Sequence, residues 1–461
     1  MNIPINTERL ARTFVQLCEI DSPSRREKKV SDYLIRTFHD LGAASIEEDR
    51  SAEQTGADCG NLIISIPGNR PDLETIFFAC HMDTVEPGCG VEVLRNGDIF
   101  TSRGDTVLGS DDKSGIAALI ELIQILRDNK IDHGPIELLF TTCEEIGLLG
   151  AKALDHSRLS ARYGYALDST GIDRIITGAP AANKLKIEVH GIAAHAGLHP
   201  EQGISALCLT ASAIADLRLG RLDEESTANF GLIHGGVATN IIPDHITIEG
   251  EVRSHSLQKL AAHTEEIKRT FQQVIECWPL PPSLAPTALG HPCPSPLPPS
   301  LAPTALGHPC PSPLPPSLAP ASLGHPCPSP LPPSLAPASL GHPCPSPLPP
   351  SLAPASLGHP SPVSLAPAPS VTINVQQEYP AMRLELSDPV LARVKQAGMN
   401  LGRNLEFQIA GGGSDANILN SFGLPTAIIA TGMDKVHTTE ECLDLKDLIS
   451  LTELLFAIVA A

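Results

Sequence analysis

The chain of 461 residues is long enough for two or three domains, each with a hydrophobic core of its own. Its formal net charge of −20 argues against nucleic acid or an anionic membrane surface as a partner, because both select for basic patches. Residues 1–12 are polar and no run approaches about 18 uninterrupted apolar residues, so we expect no membrane span and a cytoplasmic location.

The first part of the chain alternates predicted helices and strands. A helix is predicted over residues 7–19, and Ser24-Arg25-Arg26-Glu27 has the pattern of a capping box that opens a second helix. Short apolar runs predict strands over residues 62–66, 76–80, 136–140 and 165–167. One longer periodic run predicts a helix over residues 111–126. Alternation of this kind is typical of an α/β sheet that helices cover on both faces.

Polar side chains follow three of these strands. His81 and Asp83 come after one strand, Glu144-Glu145 after the next, and Asp168 after the last. A Glu-Glu pair alone is most often solvated. This pair, however, follows a short apolar run that predicts a buried strand. Because ligands bind at the carboxyl ends of parallel strands, we expect these side chains to meet at one edge of the sheet.

From residue 183 the predicted order becomes strand, helix, strand, strand, helix, strand, which is that of a ferredoxin-like βαββαβ unit. We expect this unit to be inserted into the first domain. Residues 1–181 would form the first part of a catalytic domain, residues 182–382 a lid or dimerisation domain, and residues 383–461 the second part of the catalytic domain.

A proline-rich tract at residues 279–370 interrupts the lid and holds most of the 44 prolines. It repeats with a 17-residue period, marked by His291, His308, His325, His342 and His359. Proline removes backbone donors and fixes φ, so we expect extended disorder. The His-Pro-Cys units could form a metal-binding array, but metal ligands need an oriented scaffold. A tandem expansion in a surface loop is the favoured interpretation.

After the repeats, residues 391–401 and 445–459 are predicted to be helical and residues 424–429 to form a last strand. A glycine-rich turn at residues 411–417 leads into another helix, whose amino terminus could bind a substrate carboxylate. His437 follows the last strand.

The polar side chains at the strand ends are histidines and carboxylates without cysteine, which suits zinc, cobalt or manganese in a hydrolytic site. Two such ions need a bridging carboxylate. One of Glu144 and Glu145 would then remain as general base, and the residues alone do not say which. Each residue also has an ordinary explanation; Asp111-Asp112, for example, would by default cap a helix.

Taken as an ordered set, the motifs resemble those of the di-zinc exopeptidases related to peptidase T and carboxypeptidase G, and are most similar to peptidase T-like proteins. The motifs that carry the resemblance are His81-Met82-Asp83-Thr84, Gly109-Ser110-Asp111-Asp112-Lys113-Ser114-Gly115, Glu144-Glu145-Ile146-Gly147, Asp168 and His437-Thr438-Thr439-Glu440. The resemblance covers nearly the whole chain except the repeats. It implies a mixed α/β sheet with helices on both faces.

The resemblance also implies two divalent ions, with zinc preferred and cobalt or manganese as alternatives. Five ligands would hold them: His81 and Asp168 on one ion, Glu145 and His437 on the other, and Asp111 as the bridge. Glu144 would be the general base, moving a proton from water to the leaving amine, and Asp83 would orient His81.

Four residues outside this centre are implied to contact substrate. His195 would stabilise the developing oxyanion, often by reaching across a homodimer formed through the lid. Asn240 and Arg253 would hold the substrate carboxylate, with Gly412 in the glycine-rich loop beside them. The ordinary alternatives are that Asn240 caps a turn and that Arg253 is a solvated charge.

The leading hypothesis is a cytoplasmic metallo-exopeptidase that hydrolyses short peptides and releases the amino-terminal residue of tripeptides. A carboxypeptidase or an N-acyl-amino-acid amidohydrolase with the same chemistry is the alternative. A catalytically silent binding protein is disfavoured, because the five implied ligands and the base are all present.

Overall fold

The computed structural model describes residues 3–280 and 368–460. Nearly all of the proline-rich tract, and with it the prediction of disorder, lies outside the described residues.

Within these ranges the chain forms eighteen strands. In chain order they are β1 Ser45–Glu48, β2 Leu62–Ile66, β3 Ile76–His81, β4 Val93–Asn96, β5 Ile99–Ser102, β6 Ile136–Thr141, β7 Gly164–Ala166, β8 Arg174–Ala179, β9 Ala181–His190, β10 Gly220–Arg221, β11 Ser226–Gly235, β12 His245–Ser254, β13 Ser370–Tyr379, β14 Met382–Arg383, β15 Glu406–Ile409, β16 Thr426–Ile429, β17 Met433–Asp434 and β18 Cys442–Asp444.

The described ranges also contain ten α-helices, and none of these is both long and apolar enough to cross a membrane. In chain order they are α1 Thr7–Cys18, α2 Lys28–Asp40, α3 Ala52–Thr55, α4 Ser110–Asn129, α5 Leu149–Ala153, α6 Ala206–Ala215, α7 Leu257–Cys277, α8 Pro389–Leu401, α9 Asp415–Ser421 and α10 Leu445–Val459.

The largest sheet has nine strands in the order β1-β2-β6-β3-β7-β16-β8-β14, with β15 paired to β8. Strands β3 and β6 are buried along their whole length, and alternate residues face opposite cores. Phe78 packs with the helices α1, α4 and α10 in one core, whereas Phe77 packs with the α9 side in another. The predicted mixed α/β sheet with helices on both faces is therefore confirmed.

Four neighbouring strands of this sheet, β6, β3, β7 and β16, run parallel. Their carboxyl ends consequently meet at one edge, as the strand-end residues predicted. One local prediction nearby is wrong: Ser24 does not cap α2. The Ser24 hydroxyl instead donates to Asp83 Oδ2 (2.7 Å), and α2 begins at Lys28 without a side-chain cap.

The second sheet has five strands in the order β10-β11-β12-β9-β13, and all of its pairs are antiparallel. Without the short edge strand β10, this is the strand order of a ferredoxin-like unit, as predicted. Helices α6 and α7 cover one face and enclose a separate core around Leu185, Leu209 and Phe271. We refer to this unit as the lid.

A third, four-stranded sheet has the order β17-β18-β5-β4 and was not predicted. It joins the segment after the last parallel strand to the hairpin β4–β5, which precedes α4. The loop between β17 and β18 carries His437. This small sheet therefore carries a C-terminal histidine to the same region as the amino end of α4.

Candidate metal centre

Asp111 lies between two histidines at the carboxyl edge of the parallel strands. Its Oδ1 is 3.1 Å from His81 Nε2, and its Oδ2 is 3.3 Å from His437 Nε2. Each oxygen of this one carboxylate thus lies near the imidazole nitrogen of a different histidine. This is the arrangement expected of a carboxylate that bridges two cations.

One further carboxylate lies near each histidine: Asp168 near His81 and Glu145 near His437. His81, Asp111 and Asp168 offer ligand atoms that all lie within 4.8 Å of one another, and so do Asp111, Glu145 and His437. The two groups share Asp111. The structure thus brings together all five residues that the sequence suggested as ligands.

Glu144 lies beside both groups, and its carboxylate has a different environment from that of Glu145. His437 Nε2 is 3.1 Å from Glu145 Oε1. Glu144 offers an oxygen within 4.8 Å of atoms of His81 and Glu145, and it lines the open cavity above the centre. Among the described residues, no hydrogen-bond donor contacts the Glu144 carboxylate. Glu144 is therefore available to react, whereas Glu145 is already engaged by the histidine.

The ends of the strands position these side chains. His81 is the last residue of β3, and Asp168 follows β7. Strand β6 ends at Thr141, and Cys143 has a left-handed conformation (φ 54°), so that the chain turns immediately before the glutamate pair. Successive residues of a strand would point to opposite faces. The turn allows both glutamates to face one site.

Asp83 stabilises this turn by accepting hydrogen bonds from its backbone. Its fully buried carboxylate accepts the N–H groups of Glu144 (2.9 Å) and Glu145 (3.2 Å) and the Ser24 hydroxyl. His81 Nδ1 lies 2.9 Å from the backbone oxygen of Asp83 and 3.5 Å from its carboxylate. Asp83 therefore contacts both the predicted partner His81 and the backbone of the glutamate pair.

The centre brings several carboxylates close together where most of them are buried, and this changes their pKa values. Burial, together with the charge of Asp168, raises the pKa of Glu144 well above its usual range. Burial and the charge of Asp111 raise the pKa of Asp168 to about 7. Hydrogen bonds with Asp111 and Glu145 raise the pKa of His437 to about 10. Burial alone would raise the pKa of Asp111, but its contacts with the two histidines lower it.

The donor set fits a pair of divalent cations. Imidazole nitrogens and carboxylate oxygens suit zinc, cobalt and manganese, and the two groups offer three donors each with one carboxylate shared. Positive charge here would favour the ionised carboxylates and so offset the burial and the repulsion that raise the pKa values of Glu144 and Asp168. His81 and His437 would hold different ions, with Asp111 between them.

A cavity of about 840 Å³ opens above the centre, between it and the lid. Arg253 and Gly412, two of the predicted substrate contacts, both line it. A Cβ atom on Gly412 would lie 3.5 Å from Arg253 Nη1, so the two residues are immediate neighbours. Arg253 Nη2 donates to Glu251 Oε2 at 2.9 Å. The guanidinium is therefore part of the cavity wall and is not a freely solvated charge.

The other two predicted contacts lie elsewhere on the lid. His195 and Asn240 are exposed, are adjacent through the hydrogen bond from Ala196 N to Asn240 O, and do not line this cavity. The chain in isolation therefore brings Arg253 and Gly412 together with the metal centre, but not His195 or Asn240.

Sequence reasoning missed several residues of the cavity. Tyr379, at the end of β13, lies so close to Gly413 that a Cβ there would be 2.4 Å from its ring. Glu251 and Glu378 add two carboxylates to the wall. The only available signal was alternation along β12, which places Glu249, Glu251 and Arg253 on one face. At the helix after the glycine-rich loop, Ser414 and Asn417 cap the first N–H groups themselves.

An α/β fold with this cluster of histidines and carboxylates at the sheet edge is typical of a metal-dependent hydrolase. Comparison with protein families agrees: residues 77–461 match the model described as peptidase family M20/M25/M40. The chain belongs to this family. The resemblance to peptidase T-like proteins, inferred from the motifs, is confirmed by this match together with the similar aminopeptidase and tripeptidase structures described next.

Three individual proteins are similar over nearly their full lengths. YqjE of Bacillus subtilis (strain 168) is 34% identical over 457 residues, which are 99% of this chain and 98% of YqjE. The crystal structure of aminopeptidase PepT from Bacillus cereus ATCC 10987 has 32% identity and a TM-score of 0.73, covering 99% of this chain and 98% of PepT. A tripeptidase (SAV1512) from Staphylococcus aureus subsp. aureus Mu50 has 27% identity and a TM-score of 0.76, with the same coverage.

Proposed function

We propose that this chain is a zinc-dependent exopeptidase that releases the amino-terminal residue of tripeptides. The observation that carries the proposal is the position of Asp111 between His81 and His437, with a free carboxylate, Glu144, beside the pair. The similarity to an aminopeptidase and to a tripeptidase supports the choice of substrate.

Each proposed ligand is assigned to an ion according to the group of neighbouring donor atoms to which it belongs. His81 and Asp168 would hold one ion, Glu145 and His437 the other, and Asp111 both. When bound, the ions would polarise the scissile carbonyl and lower the pKa of water. Zinc is the first choice of ion, with cobalt and manganese as alternatives, because imidazole and carboxylate donors suit all three.

Glu144 would act as general base and then as general acid. Its carboxylate lines the cavity and no donor in the described residues contacts it, so it can accept a proton from the attacking water. It would then deliver that proton to the leaving amine. Without ions, burial and then the charge of Asp168 raise the pKa of Glu144. Bound cations would offset this rise, so the assignment of Glu144 as base rests on the position of its carboxylate in the cavity and not on its pKa.

Recognition of the peptide would use the wall of the cavity. Its volume of about 840 Å³ is sufficient for a short peptide, and Arg253 offers a planar fork for the terminal carboxylate. Glu251 now occupies part of that fork, so substrate would compete with it. Gly412, beside Arg253, leaves room for the chain terminus.

We further propose a homodimer formed through the lid, in which His195 and Asn240 serve the partner's site. Both are exposed and away from the cavity of their own chain. Beyond its short pairing with β10, strand β11 has a free edge among the described residues. Leu232 and Ile233, on this segment, are more than half exposed (53% and 55%). An apolar, unpaired edge of this kind is suited to association.

The test is a panel of peptides on protein reconstituted with zinc, cobalt or manganese. A free tripeptide should be hydrolysed, an amino-blocked one should not, and release of the amino-terminal residue should be seen by mass spectrometry. Hydrolysis of N-acyl amino acids or of amino-blocked peptides instead would identify the amidohydrolase or carboxypeptidase alternative. Glu144→Gln should abolish turnover and keep both metal equivalents; activity that survives this change would remove Glu144 as the base.

A further inference from the structure

Glu441 lies four residues after His437 and is the second glutamate of the segment Thr438-Thr439-Glu440-Glu441. The two glutamates have opposite environments. Glu440 is exposed and pairs with Lys435 at 3.0 Å, whereas Glu441 is only 2% exposed. A buried carboxylate is costly unless its environment satisfies it. Its contacts therefore indicate what it does.

Glu441 accepts four hydrogen bonds from residues 108–111, which end the loop before α4 and begin that helix; we refer to these four residues as the Asp111 loop. Its Oε2 receives the N–H groups of Leu108 (2.8 Å) and Gly109 (2.9 Å). Its Oε1 receives the Ser110 hydroxyl (2.5 Å) and the N–H of Asp111 (3.2 Å). Residues 107–112 are buried, so water cannot replace these bonds. Hydrogen bonds to an ionised acceptor are the stronger kind.

These contacts join two segments that each supply a ligand to the same proposed group, which consists of Asp111, Glu145 and His437. The loop carries Asp111, the shared carboxylate, and the segment that ends in Glu441 carries His437. More than 300 residues separate them in sequence, and the His437 segment belongs to the small third sheet. A displacement of either segment would change the 3.3 Å approach of His437 Nε2 to Asp111 Oδ2.

We propose that Glu441 is a positioning residue for the metal centre: it fixes the Asp111 loop against the His437 segment and so sets the affinity for the cation that Asp111 and His437 would hold together. This inference rests on the proposed function, because it requires that the centre binds metal. It does not require Glu441 to contact metal or substrate.

A purely structural alternative is that Glu441 acts as the anionic cap of α4, whose first N–H groups it accepts. Such a cap would stabilise the metal-free protein and leave metal affinity unchanged. The two roles are separable because Glu441→Gln removes a specific contact. An amide can accept from Leu108 and Gly109 through its oxygen and donate to the Ser110 hydroxyl. It then leaves the N–H of Asp111 without an acceptor.

The experiment compares Glu441→Gln with Glu440→Gln, a matched change at the exposed neighbour. Zinc affinity is measured by equilibrium competition with a chelator, and the unfolding of the metal-free proteins is followed in urea. Residues that orient metal ligands typically change affinity by about 10–100-fold, so we expect a loss of that size for Glu441→Gln and none for Glu440→Gln. Turnover of Glu441→Gln should recover in part at saturating zinc.

Unchanged zinc affinity in Glu441→Gln, with or without a loss of stability, would overturn the proposal and leave at most a helix cap. If Glu441→Gln does not fold, Glu441→Asp is measured in the same way, since it keeps the charge but shortens the reach; wild-type affinity would again overturn the proposal. Failure of the wild-type protein to bind zinc would instead refute the proposed function, so the two failures are distinguishable.

Discussion

The substitution Asp83→Asn tests how the glutamate pair is held. The Asp83 carboxylate accepts three donors, from Ser24, Glu144 and Glu145. An asparagine can accept from Glu144 N and donate to the Ser24 hydroxyl, but it then leaves the N–H of Glu145 unpaired. An unsatisfied buried donor costs about 1–3 kcal/mol, and we expect a loss of this size in the free energy of unfolding. Because Glu145 is a proposed ligand, zinc affinity should fall by about 10–100-fold as well.

Urea unfolding of the metal-free protein measures the first effect, and chelator competition measures the second. Ser24→Ala is the control, since it removes one donor and leaves both glutamate N–H groups paired with Asp83. Its cost should be about 0.5–1.5 kcal/mol, with little change in zinc affinity. If Asp83→Asn matches the wild type in both measurements, the support assigned to Asp83 is wrong.

Three further predictions concern other parts of the molecule. Glu145→Ala should lower the zinc content from two equivalents after dialysis, measured by elemental analysis, whereas Glu144→Ala should keep both; equal losses would contradict the assigned asymmetry. The N–H of Glu225, and then Ser226 and Lys259, lower the pKa of Asp223 from 3.8 to about 2. A lowered carboxyl pKa stabilises the fold above its unfolded value and loses this effect as pH falls. The Tm of the wild type should therefore exceed that of Asp223→Asn above pH 3.8, and the gap should close toward about pH 2; a gap that widens in acid would refute this. Deletion of residues 283–368 should leave Tm and turnover unchanged, because the sequence predicts a tandem expansion in a surface loop, and each doubling of a loop's length costs only about 0.6 kcal/mol; loss of folded protein would show that the repeats support the fold.

The convergence of His81, Asp168 and the glutamate pair could be predicted from the sequence because it follows from the direction of the strands. Buried apolar runs that end in His81, Glu144 and Asp168 identify neighbouring parallel strands, and parallel strands share a carboxyl edge. The ferredoxin-like topology of the lid could likewise be predicted from the order of its strands and helices. Which glutamate is the base came only from the family resemblance. The structure adds a physical difference, because His437 contacts Glu145 and leaves the Glu144 carboxylate free.

Other features depended on contacts that local patterns do not encode. His437 reaches the centre through a sheet in which β17 and β18 are two and three residues long, and β18 pairs with strand β5 of a distant hairpin. Such short strands carry no readable periodicity. Ser24 fitted a capping box locally, yet the Asp83 carboxylate, 59 residues away, competes for its hydroxyl. Tyr379 joins the cavity only because Gly413 permits its close approach.

The supports of the centre share a physical origin. Ligands converge where strands end, and there the backbone N–H groups lose the partners that a sheet would give them. Buried carboxylates replace those partners: Asp83 for Glu144 and Glu145, Glu27 for Cys143 at 3.0 Å, and Glu441 for the Asp111 loop. Each of these carboxylates accepts backbone N–H groups and lies outside the five proposed ligands of the centre. The edge that gathers metal ligands therefore also requires a second set of acidic residues, and these should affect metal affinity without contacting metal.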